Sequence, residues 1–168
     1  MAGKDGAVER ITPGSEREAF VPLLLLADEA EAQVRSYYQR GDLYAMWDDE
    51  APGRAPLGVV LTLPTDEEGT VELKAVAVAE ERHGQGIGQR LLAGVLGDLR
   101  ERGVRRAIVG TSNAGIGQLA FYQKAGFRFW RIERDFFTLE RGYDPAAREN
   151  GLAHRDMVWL ERGLRTER

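Results

Sequence analysis

Three glycines, Gly84, Gly86 and Gly88, alternate with other residues in the stretch HGQGIGQRLL at positions 83–92, directly ahead of a leucine-rich run. The N-terminus of a helix has unpaired backbone N–H groups and carries about half a positive charge, so an exposed glycine turn there can hold a phosphate or pyrophosphate. Glycine permits the backbone angles and the close approach that such a turn needs, while Ile87 is expected to point into the core. The stretch therefore predicts an anion-binding turn between a strand and a helix.

The residues around these glycines separate the known kinds of phosphate-binding turn. A P-loop ends in Gly-Lys-Ser/Thr, whereas Gly88 is followed by Gln89 and Arg90. A dinucleotide-binding fingerprint has its third glycine three positions after the second, where this chain has Gln89. The spacing therefore excludes both nucleotide-binding interpretations.

Two stretches resemble motifs of the GNAT N-acetyltransferase superfamily. Residues 71–92 are similar to its motif A, whose signature is Arg or Gln, two residues, Gly, one residue, and Gly or Ala. His83, Gly86 and Gly88 occupy the signature positions, and His83 departs from the usual Arg or Gln. Residues 111–129 resemble motif B, in which a Tyr-x-Lys-x-Gly-Phe segment closes a helix beside the cofactor; the segment here is Tyr122, Lys124, Gly126 and Phe127.

The resemblance implies an α/β fold of the α+β kind, with a mixed central sheet of about six to seven strands, a splayed parallel pair and flanking helices. It also implies that acetyl-coenzyme A is the co-substrate, with its pantetheine arm between the splayed strands and its thioester near Asn113 and Tyr122. The expected cofactor-binding residues are Val76, Ala77, Val78, His83, Gly84, Gln85, Gly86, Ile87, Gly88, Gln89, Asn113, Tyr122 and Lys124.

Acetyl transfer to an amine needs a neutral amine, a polarised carbonyl and a proton for the departing thiolate. Tyr122 is the candidate acid, because a phenol with a reference pKa of about 10 can protonate a thiolate whose pKa is about 8.5. The ring could instead be a core aromatic beside Phe121. The chain has no cysteine, which excludes an acyl-cysteine intermediate and favours direct attack in a ternary complex.

The sequence defines the base less well. Glu72 lies on the strand where members of the resembled family often place a carboxylate that acts directly or through water, and His83, Glu80 and solvent are alternatives. Glu72 could also be a solvent-facing strand residue. His83 and His154 are far apart in the chain and without a clustered carboxylate, so no metal site is expected.

Several other side chains have two interpretations each. Asn113 could contact the cofactor or cap the helix that follows it. Arg82, Arg90 and Lys124 could bind coenzyme A phosphates or be solvated charges. An aromatic group near the first junction of helix and strand could line an acceptor pocket, although core packing is expected for at least half of it: Tyr37, Tyr38, Tyr44 and Trp47.

The composition limits the functional class. The chain has 168 residues, 43% of them hydrophobic, which predicts one domain over residues 1–168. Its 23 basic and 27 acidic residues give a formal charge of -4, which argues against nucleic-acid or membrane partners and slightly favours a cationic acceptor.

The N-terminus lacks the apolar core of a signal peptide, and no apolar run could span a bilayer, so a soluble cytoplasmic protein is expected. Small enzymes of this type often pair, which predicts a homodimer.

The periodicity of apolar residues predicts the elements that position these groups. A strand over Ala7–Ile11 precedes a capping box formed by Ser15 and Glu18, and residues 15–40 are predicted to form one long helix or, preferably, two short ones. A helix begins after the glycine turn, and another covers Gly117–Lys124. Further strands are predicted over Leu43–Trp47, Leu57–Leu63, Val71–Val78, Val104–Gly110, Phe127–Ile132 and Asp156–Leu160.

These features together predict an enzyme that transfers the acetyl group of acetyl-coenzyme A to a primary amine of a small molecule or protein. The alternative from another class is a non-catalytic module with the same fold that binds or senses an acyl-coenzyme A, or that binds a partner. Such a module would bind the cofactor and release no thiol from it.

Overall fold

The computed structural model describes residues 7–28 and 30–165. The predictions of one domain over 1–168 and of no signal peptide extend to residues 1–6, 29 and 166–168, which lie outside the described residues. The helices and strands are β1 (Glu9–Ile11), α1 (Val21–Ala27), α2 (Glu31–Tyr37), β2 (Asp42–Asp48), β3 (Ala55–Pro64), β4 (Thr70–Val78), α3 (Ile87–Glu101), β5 (Arg106–Ser112), α4 (Ile116–Lys124), β6 (Arg128–Glu133), β7 (Arg148–Glu149), β8 (Leu152–Ala153) and β9 (Met157–Gly163). Short 3-10 helices cover Ser15–Phe20, Glu80–Arg82 and Leu139–Arg141.

A seven-stranded sheet in the order β1-β2-β3-β4-β5-β9-β6 forms the centre of the molecule. All neighbouring strands in it are antiparallel except β4 and β5, which are parallel. The predicted mixed sheet with one parallel pair and flanking helices is confirmed. The small hairpin β7–β8 was not predicted, because two-residue strands are too short to show a periodicity of apolar residues.

The parallel pair separates soon after it forms. β4 and β5 are paired only where Thr70 faces Arg106, Val71 faces Ala107 and Glu72 faces Ile108. Immediately beyond Glu72, the register of β4 against β3 shifts, so that Lys74 is an extra residue between Leu73 and Ala75. Such a bulge bends and twists its strand. We attribute the splay of β4 from β5 to this bulge, which opens a gap between the C-terminal halves of the two strands.

Helices cover both faces of the sheet. α3 and α4 pack on one face, here called the α3 face, in a core that includes Leu91 and Tyr122. α1 and α2 pack on the other, the α1 face, in a core that includes Leu24. Leu73 of β4 lies in the first core and Ala75 in the second, although residues two apart in a regular strand share a face, because the bulge at Lys74 reverses the alternation.

The N-terminal segment folds into the two short helices that were preferred, α1 and α2, with the 3-10 helix Ser15–Phe20 ahead of them. The predicted capping box is wrong. The residue that caps the 3-10 helix is Gly14, which has no side chain to accept a hydrogen bond from the helix; its own N–H donates to Gln39 Oε1 at 2.8 Å. Ser15 is already the first helical residue, one position too late to act as the cap.

A buried arginine that the sequence did not reveal holds this region together. Arg17 is 1% exposed, and its guanidinium donates to the backbone oxygens of Ile11, Tyr38, Arg40 and Gly41 at 2.8–3.2 Å. Burial lowers the pKa of Arg17, an effect that the nearby Asp42 carboxylate opposes. These bonds join the end of β1 to the turn after α2, and so fix the helices that cover the α1 face.

The aromatic group near β2 is mainly core, as expected for at least half of it. Tyr37, Tyr44 and Trp47 are buried, and Tyr38 is partly exposed. Tyr44 lies on the α3 face, where its hydroxyl donates to Asp98 Oδ2 at 2.6 Å, so it cannot line a pocket on the α1 face. Among the described helices, none has both the length and the apolar character needed to cross a membrane.

Candidate active site

The glycine turn leads directly into α3 and presents an open surface there. Gly84 and Gly86 have φ angles of 79° and 75°, a left-handed conformation that favours glycine. A Cβ added to either residue would meet no heavy atom within 4 Å. Gly86 is the residue that caps α3, and no side chain caps the helix, so the first amides of α3 are left to solvent or to a ligand. This arrangement fits the phosphates of a coenzyme A.

The other residues of the turn attach it to the protein. Ile87 is 1% exposed and anchors α3 in the core, as predicted. A Cβ on Gly88 would lie 3.0 Å from Phe121 Cε2, so this glycine allows α3 and α4 to pack closely rather than clearing space for a ligand. Gln89 Nε2 donates to the Phe121 oxygen at 3.1 Å. The side chain of Gln89 therefore links the two helices, and only its backbone amide is oriented for an anion.

His83, the residue that departs from the family signature, is in contact with the preceding strand. Its Nε2 lies 2.9 Å from the Val78 oxygen at the end of β4. Arg82 donates to Asp48 Oδ2 at 2.7 Å and to Gln85 Oε1 at 3.1 Å. The side chains of the first half of the turn thus hold it against β2 and β4, while its glycines remain exposed.

The backbone of β4 is arranged so that alternate residues face the gap. Ala79 donates its N–H to the oxygen of Leu57 in β3, at 2.9 Å. Because N–H and C=O groups alternate sides along a strand, Ala77 faces β3 as well, opposite Val59, whereas Val76 and Val78 point towards the gap. A ligand in the gap could therefore pair with Val76 and with the N–H of Val78, whose oxygen His83 Nε2 already contacts. The hydrogen-bonding groups of Ala77 point away from the gap.

Tyr122 is buried between α4 and the sheet. It is 7% exposed, and its ring makes edge-on contacts with Phe121 and Phe127 at centroid distances of 5.2 Å and 5.8 Å. Burial raises the pKa of Tyr122 above its ordinary value, so the phenol keeps its proton over the physiological range. The core interpretation and the acid interpretation are thus compatible, since the ring can pack while its hydroxyl remains a proton donor.

Glu72 and Lys74 lie on the opposite side of the sheet from Tyr122. Val71 and Leu73 pack on the α3 face, so Glu72 between them points to the α1 face. Lys74 Nζ lies 5.3 Å from the centre of the Tyr37 ring, which places it on the α1 face too. The gap between β4 and β5 therefore separates the candidate acid from the candidate base, an arrangement that suits attack from one face and protonation of the leaving group from the other.

Residues 134–155 reach across the α1 face towards α1 and α2. The Phe137 ring contacts Tyr143 at 4.9 Å. The pKa of Tyr143 is raised by its burial and by the Asp28 carboxylate at the end of α1. Burial likewise raises the pKa of Tyr37, to which Asp28 adds. These side chains enclose the α1 face beside the gap, where an acceptor would approach.

Asn113 ties that same segment to the end of β5. Its Oδ1 accepts the N–H groups of Arg155 and Asp156 at 2.9 Å and 3.0 Å, and its Nδ2 donates to the Ala153 oxygen at 3.1 Å. The capping interpretation of Asn113 is wrong, because Gly115 caps α4 and no side chain bonds to the end of that helix. The amide group of Asn113 is already engaged, so a contact with the cofactor would require its backbone or a rearrangement.

Lys124 ends α4 beside a cavity on the outer side of α3. The cavity has a volume of about 310 Å³, and Gln89, Lys124 and Arg162 contribute its polar side chains. Its two cationic side chains suit an anionic group. Gln89 is the one lining residue of this cavity that also belongs to the turn.

A polar cluster at the end of β5 was missed in the sequence. Ser112 Oγ lies 2.7 Å from His154 Nδ1 and accepts the Ala114 N–H at 3.1 Å. His154 Nε2 lies 3.7 Å from Glu149 Oε2, so the view that this histidine has no nearby carboxylate is wrong. The three residues come from β5, β7 and the segment after β8, and only the fold brings them together. Within the described residues, no group of three or more acidic or histidine side chains is arranged to hold a metal ion.

The chain is similar to known acetyltransferases in both sequence and structure. Residues 14–127 match the acetyltransferase (GNAT) family. The chain is 38% identical over 152 residues to the uncharacterized N-acetyltransferase YvbK of Bacillus subtilis strain 168, covering 90% of this chain and 94% of that protein. An acetyltransferase of Bacillus subtilis in complex with CoA has a TM-score of 0.80 at 35% identity, with 94% of this chain and 97% of that one covered. A GNAT family acetyltransferase from Elizabethkingia anophelis with acetyl-CoA bound has a TM-score of 0.80 at 33% identity and the same coverage.

Proposed function

The chain belongs to the GNAT family of acetyl-CoA-dependent N-acetyltransferases, and from this we propose that it acetylates a primary amine by direct attack in a ternary complex. The observation that carries the proposal is the gap between β4 and β5, which begins at an open glycine turn and lies between Tyr122 and Glu72. Two structural relatives with CoA or acetyl-CoA bound, each at least 33% identical, support this use of the gap.

The residues proposed to hold acetyl-CoA surround the gap. The amides from Gly84 to Gln89 are proposed to bind the pyrophosphate, because the helix N-terminus they form is positively polarised and uncapped. The backbone groups of Val76 and the N–H of Val78, which face the gap, are proposed to bind the pantetheine arm. The cavity beside Lys124 supplies positive charge for the remaining phosphate. Bound there, acetyl-CoA supplies a thioester that an amine can attack.

Two side chains are proposed to move protons. Tyr122 is the proposed acid for the departing thiolate, and its raised pKa supports this role because the hydroxyl is protonated whenever it is needed. Glu72 is the proposed base for the acceptor, directly or through water. Its side chain faces the α1 face, from which the amine would arrive, and its carboxylate favours the approach of an ammonium group.

The acceptor is proposed to be a cationic amine. The α1 face beside the gap combines the carboxylates of Glu72 and Asp28 with the aromatic ring of Tyr143, a combination suited to an ammonium group on an organic frame. The Tyr37 ring on the same face already has the Lys74 Nζ 5.3 Å from its centre. The formal charge of -4 acts in the same direction over a longer range.

Release of free thiol from acetyl-CoA in the presence of an amine panel tests the proposal. Tyr122→Phe should lower kcat by about 100-fold, the usual contribution of a general acid, while the ring continues to pack in the core. Tyr44→Phe is the matched control, since it removes another buried hydroxyl, one bonded to Asp98. Binding of acetyl-CoA without thiol release by the wild type for any amine would instead identify a non-catalytic module.

The homodimer stays a prediction, as does the cytoplasmic location. The surface that would support a dimer is the edge strand β6, on which Phe129 and Ile132 are 58% and 63% exposed. Exposed apolar side chains on an unpaired strand edge favour pairing with another strand. Sedimentation of the wild type and of a Phe129→Lys variant would reveal whether this edge is used.

A further inference from the structure

The cluster of Ser112, His154 and Glu149 lies close to the expected position of acyl transfer. β6 is parallel to β5, because both are antiparallel to β9 between them. The connecting helix α4 therefore runs back antiparallel to β5. Tyr122 is six residues after the start of α4, about 9 Å along its axis, which brings it level with Gly110 in the middle of β5.

Glu72 and Ser112 lie on either side of the position of Gly110 along the strands, which is the level of Tyr122. Glu72 pairs with Ile108, two residues before Gly110, and Ser112 is two residues after it, so each is about 7 Å away along the strands. Ala107 and Val109 pack on the α3 face, so the alternating residues Ile108 and Ser112 belong to the α1 face. The acceptor amine would thus have a carboxylate on one side of it and the serine hydroxyl on the other.

The reaction requires two protons to leave the nitrogen. An ammonium group loses one to become a nucleophile, and the nitrogen loses another as its bond to the acetyl carbon forms and the carbon–sulfur bond breaks. Tyr122 gives a proton to the sulfur and regains one from solvent, so one proton is released overall. Glu72 accounts for the first proton of the nitrogen, and the second needs a separate acceptor.

We propose, on the basis of the proposed function, that Ser112, His154 and Glu149 form a relay that takes this second proton. The Ser112 oxygen receives the proton from the nitrogen through one bridging water, which spans the distance between them, and passes its own hydrogen to His154 Nδ1. The relay uses the His154 tautomer whose Nδ1 carries no proton, so that the Ser112 hydroxyl donates to Nδ1 while its oxygen accepts the Ala114 N–H. The imidazole is the side chain best suited to gain and lose a proton near neutral pH.

The surroundings of His154 complete the relay. The Glu149 carboxylate lies 3.7 Å from Nε2, the ring nitrogen that does not contact Ser112, and is beyond hydrogen-bond distance. The His154 side chain is 25% exposed, so the proton can pass from it to solvent. The amide of Asn113 and the Asn150 Nδ2 bond to the Ala114 oxygen, 2.9 Å long, fix the segments that carry the relay. Glu149 and His154 are positioning and relay groups, and Ser112 is the member of the relay nearest the substrate.

Steady-state kinetics with an amine that the wild type acetylates test the relay. His154→Gln and Ser112→Ala should each lower kcat by about 100-fold, while KM for the amine and the Kd for acetyl-CoA change less than about twofold. Ser112→Thr keeps a hydroxyl and should restore most of the rate. Glu149→Gln should lower kcat by a smaller factor, about 10-fold. Glu140→Gln is the matched control: it makes the same change on the exposed 3-10 helix within residues 134–155 and should leave kcat unchanged.

The alternative is that the cluster only holds the segment in place. His154→Gln would then lower the melting temperature with little change in kcat, or raise both KM for the amine and Kd for acetyl-CoA. Ser112→Thr would have a kcat as low as that of Ser112→Ala. Any of these results overturns the relay. Failure of the proposed function is a separate result, because the wild type itself would then release no thiol with any amine.

Discussion

A single methyl group on Gly86 should separate cofactor binding from folding. Gly86 has a φ of 75° and caps the N-terminal end of α3, and Gly103 has a φ of 86° just beyond the C-terminal end of the same helix. A Cβ on either would meet no heavy atom within 4 Å. The two glycines therefore have the same backbone strain and the same free space for a methyl group, and differ in which end of α3 they occupy.

The expected stability loss is similar for the two variants. An L-residue in the left-handed region costs about 1–2 kcal/mol, and the smaller conformational freedom of unfolded alanine offsets about 0.4–1 kcal/mol of that. Gly86→Ala and Gly103→Ala should each lose about 1 kcal/mol of unfolding free energy. In a domain of this size the melting temperature should fall by about 2–4 °C.

The affinity for acetyl-CoA should differ sharply. The methyl group of Gly86→Ala would occupy the open space through which a phosphate reaches the first amides of α3, so we expect Kd to rise at least 10-fold, about 1.4 kcal/mol. Gly103→Ala should bind as the wild type does. Calorimetric titration at equal folded fraction measures both. Wild-type affinity in Gly86→Ala, or equal weakening in the two variants, would refute the assignment of the turn as the phosphate site.

Three further predictions follow from buried polar groups. Burial raises the pKa values of Tyr37, Tyr44 and Tyr122, so their protonated side chains stabilise the fold fully below the ordinary tyrosine pKa of about 10. This contribution to the free energy of unfolding is lost as the pH rises further. Urea unfolding at pH 9 and pH 11 should show the decline, and an equal free energy of unfolding at the two pH values would contradict it. Arg17→Met should cost about 3 kcal/mol or more in urea unfolding, because buried backbone oxygens lose their donors, and a loss under 1 kcal/mol would be evidence against that role. Asn113→Ala should speed hydrogen exchange at the backbone amides of residues 155 and 156, and unchanged exchange there would disprove the anchoring.

The sheet and its helices could largely be predicted from the sequence because their signals are local. Apolar residues at helical spacing define α3, and alternating or continuous apolar runs define β3, β4 and β5. The glycine turn was recognisable for the same reason, since Gly84 and Gly86 stand directly between a strand and a helix. The predicted capping box at Ser15 was wrong by a single position, because the spacing of apolar residues does not define the exact residue at which a helix begins.

The functions of individual side chains were harder to predict. Gly88 and Gln89 looked like the rest of the turn, yet both serve contacts with Phe121, a residue more than 30 positions away in the chain. Asn113 looked like a helix cap, but its partners are backbone groups of residues 153–156. A local pattern cannot distinguish a residue that faces a ligand from one that faces a distant segment of its own chain.

The sequence by itself determined that the chain has a mixed sheet, a phosphate-type turn before α3 and the two motifs of an acetyl-CoA-dependent family. Each of these depends on residues that are neighbours in the chain. Only the tertiary structure decided that Lys74 is a bulge that splays β4 from β5, that Tyr122 and Glu72 lie on opposite faces of the resulting gap, and that Ser112, His154 and Glu149 meet beside it. These arrangements depend on strand register and on contacts across about 40 residues, which the packing of the whole domain fixes.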